Sequence, residues 1–260
     1  MKKEYPLSIS SFADSSFQIN IGENILNDSL LRGTISSGVN EVKWNLEYRG
    51  DEPPLAVLPE QWYKGGFPKA KLVVSLPLAV FNGTINVNGT RLDIQDWCGS
   101  QNHNWGPRHT DHYAWGQVAG FDSHPESFFE VATARMKMGQ FWTPFLTLMV
   151  LRHNGREYRL NTPWPSLLAK AAFGYFHWHF SSKANGVQIE GTIRAGKEAF
   201  SCLNYYNPPG GSKFCLNTKI ASCSLKLTYA DGTTEVLDTN HRAAFEILTD
   251  DASHGLTIAT

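Results

Sequence analysis

The chain has 260 residues, of which 42% are hydrophobic and 18% are charged, and its formal net charge is −1. This composition excludes a disordered or fibrous protein, and the charge lacks the basic excess of a nucleic-acid-binding protein. The length is sufficient for one large domain or two small ones with a buried core.

The N-terminal stretch MKKEYPLSISSFADSS starts with lysines, but Glu4, Pro6 and several serines stand where a secretory signal needs an apolar run. The longest apolar run, residues 141–151, is far shorter than the ~20 residues of a membrane span. We therefore expect a soluble cytoplasmic protein without an integral membrane segment.

The four cysteines are far apart in the sequence, and none forms a C-x-x-C pair: Cys98, Cys202, Cys215 and Cys223. In a chain of this length, such spacing predicts buried thiols and not a disulfide framework or a zinc cage.

Four dipeptides predict β-hairpins: Asn88-Gly89, Asn154-Gly155, Asn185-Gly186 and Asp231-Gly232. Both centre positions of a type I′ turn need positive φ, so these pairs between alternating segments are strong hairpin signals. Helical patterns are sparse, and only residues 162–173, with Pro165 near the start, predict a short helix. We predict an all-β, mainly antiparallel fold.

A weak internal similarity suggests a duplicated β-domain. Residues 30–50 and 171–193 both carry a tryptophan-centred strand beside a glycine-marked turn. The polar, proline-containing stretch 121–127 is the best junction, so the predicted domains span 1–122 and 123–260. Eight-stranded meander barrels can hold one small ligand, and we expect such an apolar cup with a rim turn at residues 207–211.

The segment SQNHNWGPRHTDHYAWGQ, residues 100–117, is unusually rich in histidine, amide and aromatic side chains. We interpret residues 99–108 as a loop and residues 109–121 as a strand. Alternation then gives one aromatic face with polar ends and one face of mostly small residues. The first face has Asp111, Tyr113, Trp115 and Gln117, and the second has His112, Ala114, Gly116 and Val118. The first face suits a cavity wall, and the second suits packing.

One hypothesis for this segment is a metal site. His103, His109 and His112 are chemically able to form a 2-His or 3-His site, as in a metallohydrolase. However, His109 and His112 point to opposite faces of a strand, and no acidic residue has helical spacing to them. We therefore favour hydrogen-bonding roles for the histidines and predict no metal.

A second hypothesis is proton-transfer catalysis. Asp111 lies on the aromatic face, and Glu130 lies among apolar neighbours, where burial would raise its pKa and make it a proton donor near neutral pH. Asn102 and His103 offer neutral donors and acceptors beside them, and complete the set of candidate catalytic residues.

The structural alternative for Glu130 is an ion pair with Arg108 or Arg135.

A second polar patch near the C-terminus has Lys213, Asn217, His241, Arg242 and Glu246. For this patch we favour a structural role.

Aromatic and polar side chains near these residues are the candidate substrate-binding residues: Asn104, Trp105, His112, Tyr113, Trp115, Gln117 and Trp142. Aromatic faces stabilise carbocations. The alternative for each ring is ordinary core packing.

The motifs GSQNHNWG (99–106) and HYAWGQVAGF (112–121), with the lead-in at 53–85, resemble the family that groups carotenoid 1,2-hydratases and AttH-like proteins. More remotely, they resemble tocopherol cyclases and two-domain lipocalin-like pericyclases. The resemblance implies two lipocalin-like β-barrels packed together and a cofactor-independent, non-redox reaction on a large apolar substrate. Many relatives have an acidic residue at the position of Asn102. If that residue supplies the proton in relatives, this chain must use another acid, such as Asp111 or Glu130, or run a reaction that needs none.

These observations support a cyclase, hydratase or isomerase that acts on an apolar isoprenoid or polyene inside a β-barrel. In this hypothesis His103 and Asn104 orient the site, and Tyr113 and Trp115 shape the pocket. The alternative is a non-catalytic lipocalin-type carrier of a lipid or pigment, which needs the cavity but no buried acid.

Overall fold

The computed structural model describes residues 3–206 and 211–259 and has an all-β, mainly antiparallel fold, as the turn signals predict. The first sheet has the order β1-β2-β3-β4-β5-β7-β6, and β8 pairs with β7. Its strands are β1 (Ser10–Phe12), β2 (Gln18–Ile21), β3 (Asn24–Asn27), β4 (Leu30–Ser37), β5 (Asn40–Arg49), β6 (Leu55–Ala56), β7 (Lys71–Val87) and β8 (Thr90–Trp105).

The remaining strands, in chain order, are β9 (His112–Ala119), β10 (Phe128–Arg135), β11 (Lys137–Met138), β12 (Phe141–Trp142), β13 (Leu146–His153), β14 (Arg156–Arg159), β15 (Lys170–Gly174), β16 (His177–Ala184), β17 (Val187–Arg194), β18 (Ser201–Tyr206), β19 (Ser212–Tyr229), β20 (Thr234–Thr249) and β21 (Ile258–Ala259). The second sheet has the order β14-β13-β10-β9-β20-β19-β17-β16-β15, and β18 joins β19 to β21. Strands β11 and β12 form a separate pair.

Two short α-helices are described, α1 (Glu60–Lys64) and α2 (Pro163–Leu168), with 3-10 turns at Leu7–Ile9 and Lys197–Ala199. Among the described residues, no helix combines the length and the apolar character that crossing a bilayer requires.

The four predicted hairpins are confirmed. Asn88, Asn154 and Asn185 have φ of 50°, 50° and 52°, and the glycine after each also has positive φ. The fourth connection differs, because only Gly232 has positive φ there, and Tyr229 N donates to Thr233 O at 2.9 Å. Local turn chemistry therefore sets the register of these strand pairs.

Two predicted elements differ from the structure. The predicted helix over 162–173 ends at Leu168, and residues from Lys170 form β15, because Ala171 and Phe173 pack against the buried core. The predicted loop over 99–108 is wrong for most of its length, since β8 continues to Trp105 and pairs with β7. The strand ends at Trp105, just before Gly106, whose φ is 139° and where a Cβ would lie 1.8 Å from Lys69 O.

The chain divides into two compact units. The first contains residues up to Pro53 and Leu76–Gln101, and the second contains Pro54–Ser75 and Asn102–Ala259. The predicted boundary after residue 122 lies inside the second unit, between β9 and β10, which are paired along their whole length. The predicted domains 1–122 and 123–260 therefore do not coincide with these units. Of the predicted rim turn, residues 207–210 lie outside the described residues.

The second unit has an extensive core on one face of its sheet. Ala114 and Val118 of β9 and Phe129 and Val131 of β10 belong to it. Large rings fill the space above them: Trp178, Phe180, Phe200 and Phe245. This is the face of β9 that the sequence analysis assigns to packing, and that assignment agrees with the core.

The four cysteines are all described, and none forms a disulfide. The prediction of buried thiols is confirmed for Cys202, Cys215 and Cys223, whereas Cys98 is exposed.

Candidate active site

Glu130 lies on the face of β10 opposite to the core. The antiparallel register places it beside Gln117, with Trp115 two residues further along β9. Trp115 Nε1 donates to Glu130 Oε1 at 2.6 Å, and Gln117 Nε2 donates to Oε2 at 2.7 Å. Both oxygens of Glu130 therefore accept hydrogen bonds from neutral N–H groups. The Glu130 residue is completely buried, so neither oxygen is in contact with bulk water.

Burial raises the pKa of Glu130 from an ordinary value of 4.5 to about 8. The hydrogen bonds from Trp115 and Gln117 and the charge of Lys219 oppose this rise but do not cancel it. A carboxyl group with this pKa carries its proton at neutral pH, as a general acid requires.

The ion pair that the sequence offers as an alternative for Glu130 is not formed with either candidate arginine. Arg108 Nη2 lies 2.7 Å from Asp111 Oδ1. Arg135 lies over the rings of Trp142 and Phe145, 4.4 and 4.8 Å from their centroids. The structure therefore leaves Glu130 without a guanidinium partner among the described residues.

Asp111 has a different environment from Glu130. Besides the Arg108 ion pair, Asp111 Oδ2 accepts from Lys137 N at 2.9 Å, and its backbone oxygen accepts from Lys213 Nζ at 2.6 Å. These contacts join the start of β9 to the segment after β10 and to β19. Asp111 thus has the contacts of a structural ion pair.

The end of β8 contributes Asn102 to the site. Gln117 Nε2, which binds Glu130, also donates to Asn102 Oδ1 at 3.0 Å. Asn102 therefore orients the amide that holds the carboxyl group. His103 stacks on Trp105 at 5.1 Å between ring centroids, and His103 and Asn104 are exposed.

The segment 54–75 adds Tyr63 from α1, which the sequence reasoning missed. Its ring stacks on Trp105 at 6.1 Å, and its Oη donates to Leu72 O at 2.6 Å. Burial raises the pKa of Tyr63, and the nearby charge of Glu130 raises it further. The only signal for Tyr63 in the sequence is its place within the stretch 53–85 that carries the family resemblance.

A second carboxylate, Glu246, lies on the same sheet face, where β20 places it opposite Trp115. It accepts hydrogen bonds from Tyr113 Oη and from Asn217 Nδ2. Burial raises the pKa of Tyr113 well above its ordinary value, and the charge of Glu246 adds to the rise. Asn217 and Glu246, for which the sequence analysis favours a structural role, extend the polar face next to Trp115.

His112 and Trp142 lie in a different part of the structure from Glu130 and its partners. They line a pocket of about 540 Å³ at the end of the core face of β9. Its other lining residues include Arg135, Phe145, Phe173 and Ile247. Burial and the charge of Arg135 lower the pKa of His112. The predicted substrate-binding residues are thus not in one place: Trp115 and Gln117 contact Glu130, whereas His112 and Trp142 line this pocket.

The three histidines of the dense segment contact different partners. His103 stacks on Trp105, His109 stacks on Tyr113 at 5.7 Å, and His112 lines the aromatic pocket. Within the described residues these three do not form a group of metal-ligating atoms. The geometry gives no support to a metallohydrolase built on them.

Comparisons with known proteins agree with the resemblance in the sequence. The model of the tocopherol cyclase-like family matches residues 68–247, which include the motifs at 99–106 and 112–121. The chain therefore belongs to the tocopherol cyclase-like family.

Among curated proteins, the chain is 28% identical over 197 residues to an uncharacterized protein of Mycobacterium tuberculosis found in two strains. The match covers 74% of this chain and 58% of that protein, so the chain spans little more than half the length of these relatives.

Two solved structures have a similar fold. Kievitone hydratase from Nectria haematococca has a TM-score of 0.53 and 13% identity, over 92% of this chain and 72% of its own. A candidate AttH protein of Nitrosomonas europaea has a TM-score of 0.55 and 11% identity, over 95% and 73% of the two chains. At these identities the similarity establishes the fold.

Proposed function

We propose that this member of the tocopherol cyclase-like family is a cofactor-independent, non-redox enzyme that protonates a carbon–carbon double bond of an apolar isoprenoid or polyene. Glu130 is the proton donor in this proposal. The observation that supports it most directly is a fully buried carboxyl group with a pKa of about 8 that has neutral N–H partners and no guanidinium partner among the described residues.

The proposed first step transfers the Glu130 proton to one carbon of the double bond. The π electron pair forms the new C–H bond, the carboxyl O–H bond breaks, and the second carbon becomes cationic. Trp115 Nε1–H and Gln117 Nε2–H then stabilise the carboxylate that remains. Charge-assisted hydrogen bonds of this kind are about twice as strong as neutral ones, so the two donors assist proton release.

The cation requires an electron-rich partner. The ring of Trp115 has the Lys219 ammonium 4.9 Å from its centroid, and this cation–π contact supports the choice of Trp115 as that partner. In the proposal a substrate cation uses such a face. Water or a hydroxyl group of the substrate then attacks the cation and gives its proton to the Glu130 carboxylate, which yields hydration or cyclisation. Alternatively, the carboxylate takes a proton from a carbon next to the cation and a new double bond forms, which yields isomerisation or cyclisation.

Reaction in D₂O tests the proposal. The purified protein is incubated with mixed isoprenoid alcohols and linear polyenes, and products are analysed by mass spectrometry. We expect a product with a deuterium bound to carbon, and loss of this product in Glu130→Gln. Products that form without deuterium would indicate a pericyclic reaction, and full activity of Glu130→Gln would contradict the role of Glu130.

A second candidate function is binding of an apolar ligand without chemistry. The 540 Å³ pocket with Trp142, Phe145 and Phe173 favours it, because this pocket lies on the core face, away from Glu130. In the same incubation, a carrier would return the ligand unchanged, and Phe173→Ala would reduce the amount of ligand retained.

A further inference from the structure

Three side chains outside the candidate active site converge at one end of the second sheet. His124 lies in the connection between β9 and β10, His153 ends β13, and Glu235 is near the start of β20. These strands are consecutive neighbours in the sheet order β13-β10-β9-β20. The sheet topology therefore brings together residues that are far apart in the sequence.

The ligand atoms of these three residues face one another. His124 Nε2 is 3.3 Å from Glu235 Oε1, and His153 Nε2 is 3.0 Å from Glu235 Oε2. All three ligand atoms lie within 4.8 Å of one another. In a tetrahedral zinc site with bonds of about 2.0–2.1 Å, two ligand atoms are about 3.3 Å apart. The two histidine–carboxylate distances, each to a different oxygen of Glu235, are close to this value, and small side-chain movements would bring all three ligand atoms to it.

The surrounding hydrogen bonds direct the two imidazoles in the same way. Ser123 Oγ is 2.8 Å from His124 Nδ1, and Ser127 Oγ is 2.7 Å from His153 Nδ1. Metal-binding histidines commonly use the second ring nitrogen for such a hydrogen bond, which fixes the ring and the tautomer. With Nδ1–H donating to a serine oxygen, each Nε2 has the lone pair that a metal needs.

Further polar contacts hold His153 and Glu235 in place. Asn154 Nδ2 lies 2.9 Å from His153 Nε2, and Tyr229 Oη donates to Glu235 Oε2 at 2.8 Å. The His153 side chain has no exposed surface, so its imidazole faces the Glu235 carboxylate from the protein interior.

We propose that His124, His153 and Glu235 form a binding site for Zn²⁺. Two imidazoles and one carboxylate are ligands that suit zinc, whereas Mg²⁺ and Ca²⁺ prefer oxygen ligands alone. A water molecule completes the tetrahedron. The bound ion links the β9–β10 connection, the β13–β14 hairpin and β20, and this inference does not depend on the proposed enzymatic function.

Zinc titration of chelator-treated protein tests the site by isothermal titration calorimetry, with the visible spectrum of the Co²⁺ form as a second readout. We expect one Zn²⁺ per chain and a tetrahedral Co²⁺ spectrum. His124→Gln and Glu235→Gln should each weaken binding by about 100-fold or more. Ser127→Ala should weaken it about 10-fold, because it removes only the oxygen that orients His153.

His179→Gln is the matched control, since His179 is exposed and its Nδ1 also contacts a hydroxyl, Thr192 Oγ1, at 2.9 Å. It should bind Zn²⁺ like the unchanged protein. Thermal unfolding distinguishes loss of the site from loss of the fold, because it shows whether each variant is folded. Zn²⁺ should raise the Tm of the unchanged protein and of His179→Gln, but not of Glu235→Gln. The proposal would be overturned if the unchanged protein did not bind Zn²⁺. It would also be overturned if His124→Gln and Glu235→Gln bound Zn²⁺ as tightly as the unchanged protein.

Discussion

Glu130 and Asp111 are two buried carboxyl groups near the same pair of strands, and their surroundings are opposite. Asp111 has the Arg108 guanidinium and the Lys137 backbone N–H as partners. Glu130 has Trp115 and Gln117, which donate hydrogen bonds but bring no charge. The sequence reasoning treats both as candidate acids. The two carboxyl groups therefore differ in their partners: Asp111 is in an ion pair, whereas burial among neutral donors raises the pKa of Glu130 to about 8.

The largest expected effect comes from exchanging each carboxyl group for its amide. Glu130→Gln should reduce turnover by about 100-fold or more, because an amide cannot donate the proton. Asp111→Asn should leave turnover within a few-fold, although the loss of its ion pair should lower the free energy of unfolding by about 1–3 kcal/mol. Product formation and chemical denaturation of both variants check this contrast. A larger loss of turnover in Asp111→Asn would reverse the assignment.

The pH dependence of stability gives the next effect. The Glu130 carboxyl group titrates near 4.5 when unfolded and near 8 when folded, so the folded state holds an extra proton between these values. Its contribution to stability is complete below pH 4.5 and is lost as the pH rises through about 8. Between pH 5 and pH 7.5 the loss is on the order of 3 kcal/mol. We expect Glu130→Gln to lack this loss, and parallel stability curves for the two proteins would contradict the raised pKa.

Trp115→Phe should have an intermediate effect. It keeps an aromatic ring but removes the N–H that binds Glu130 Oε1, so the carboxylate is less stable. Turnover should fall about 10-fold, and the alkaline limb of the pH–rate profile should move to higher pH. Trp164→Phe, at a site where the side chain is 73% exposed, is the matched control. A lower rate with an unchanged profile would mean that Trp115 acts only through packing.

Asn102→Ala should give the smallest effect. Asn102 accepts a hydrogen bond from Gln117, and Gln117 in turn binds Glu130. The alanine variant therefore removes a hydrogen bond that helps to orient the Gln117 amide. We expect turnover to fall about 2- to 5-fold with little change in KM. A loss as large as that of Glu130→Gln would show that Asn102 contacts the reacting atoms.

Local features of the fold could be predicted from the sequence. The turns at Asn88, Asn154 and Asn185 follow from residues that tolerate positive φ. The burial of Glu130 follows from its apolar neighbours in a strand with period two. The end of β8 could not be predicted in this way, because exposed polar residues look like a loop until a paired strand is known.

The partners of the candidate site depend on contacts between distant parts of the chain. The register of β10 on β9 places Glu130 beside Gln117, and no local pattern encodes that register. The position of Tyr63 is likewise set by the segment 54–75 packing against β8. The cluster of His124, His153 and Glu235 has no spacing motif, because three separate parts of the chain supply its members.

The proposed proton transfer requires Glu130 to carry its proton at neutral pH. Its most direct test is a ¹³C NMR titration of protein with labelled glutamate side-chain carboxyl carbons, with Glu130→Gln used to assign the signal. We predict a midpoint near pH 8 for Glu130. A midpoint near 4.5, the ordinary value for this side chain, would contradict the proposed role of Glu130 as the proton donor.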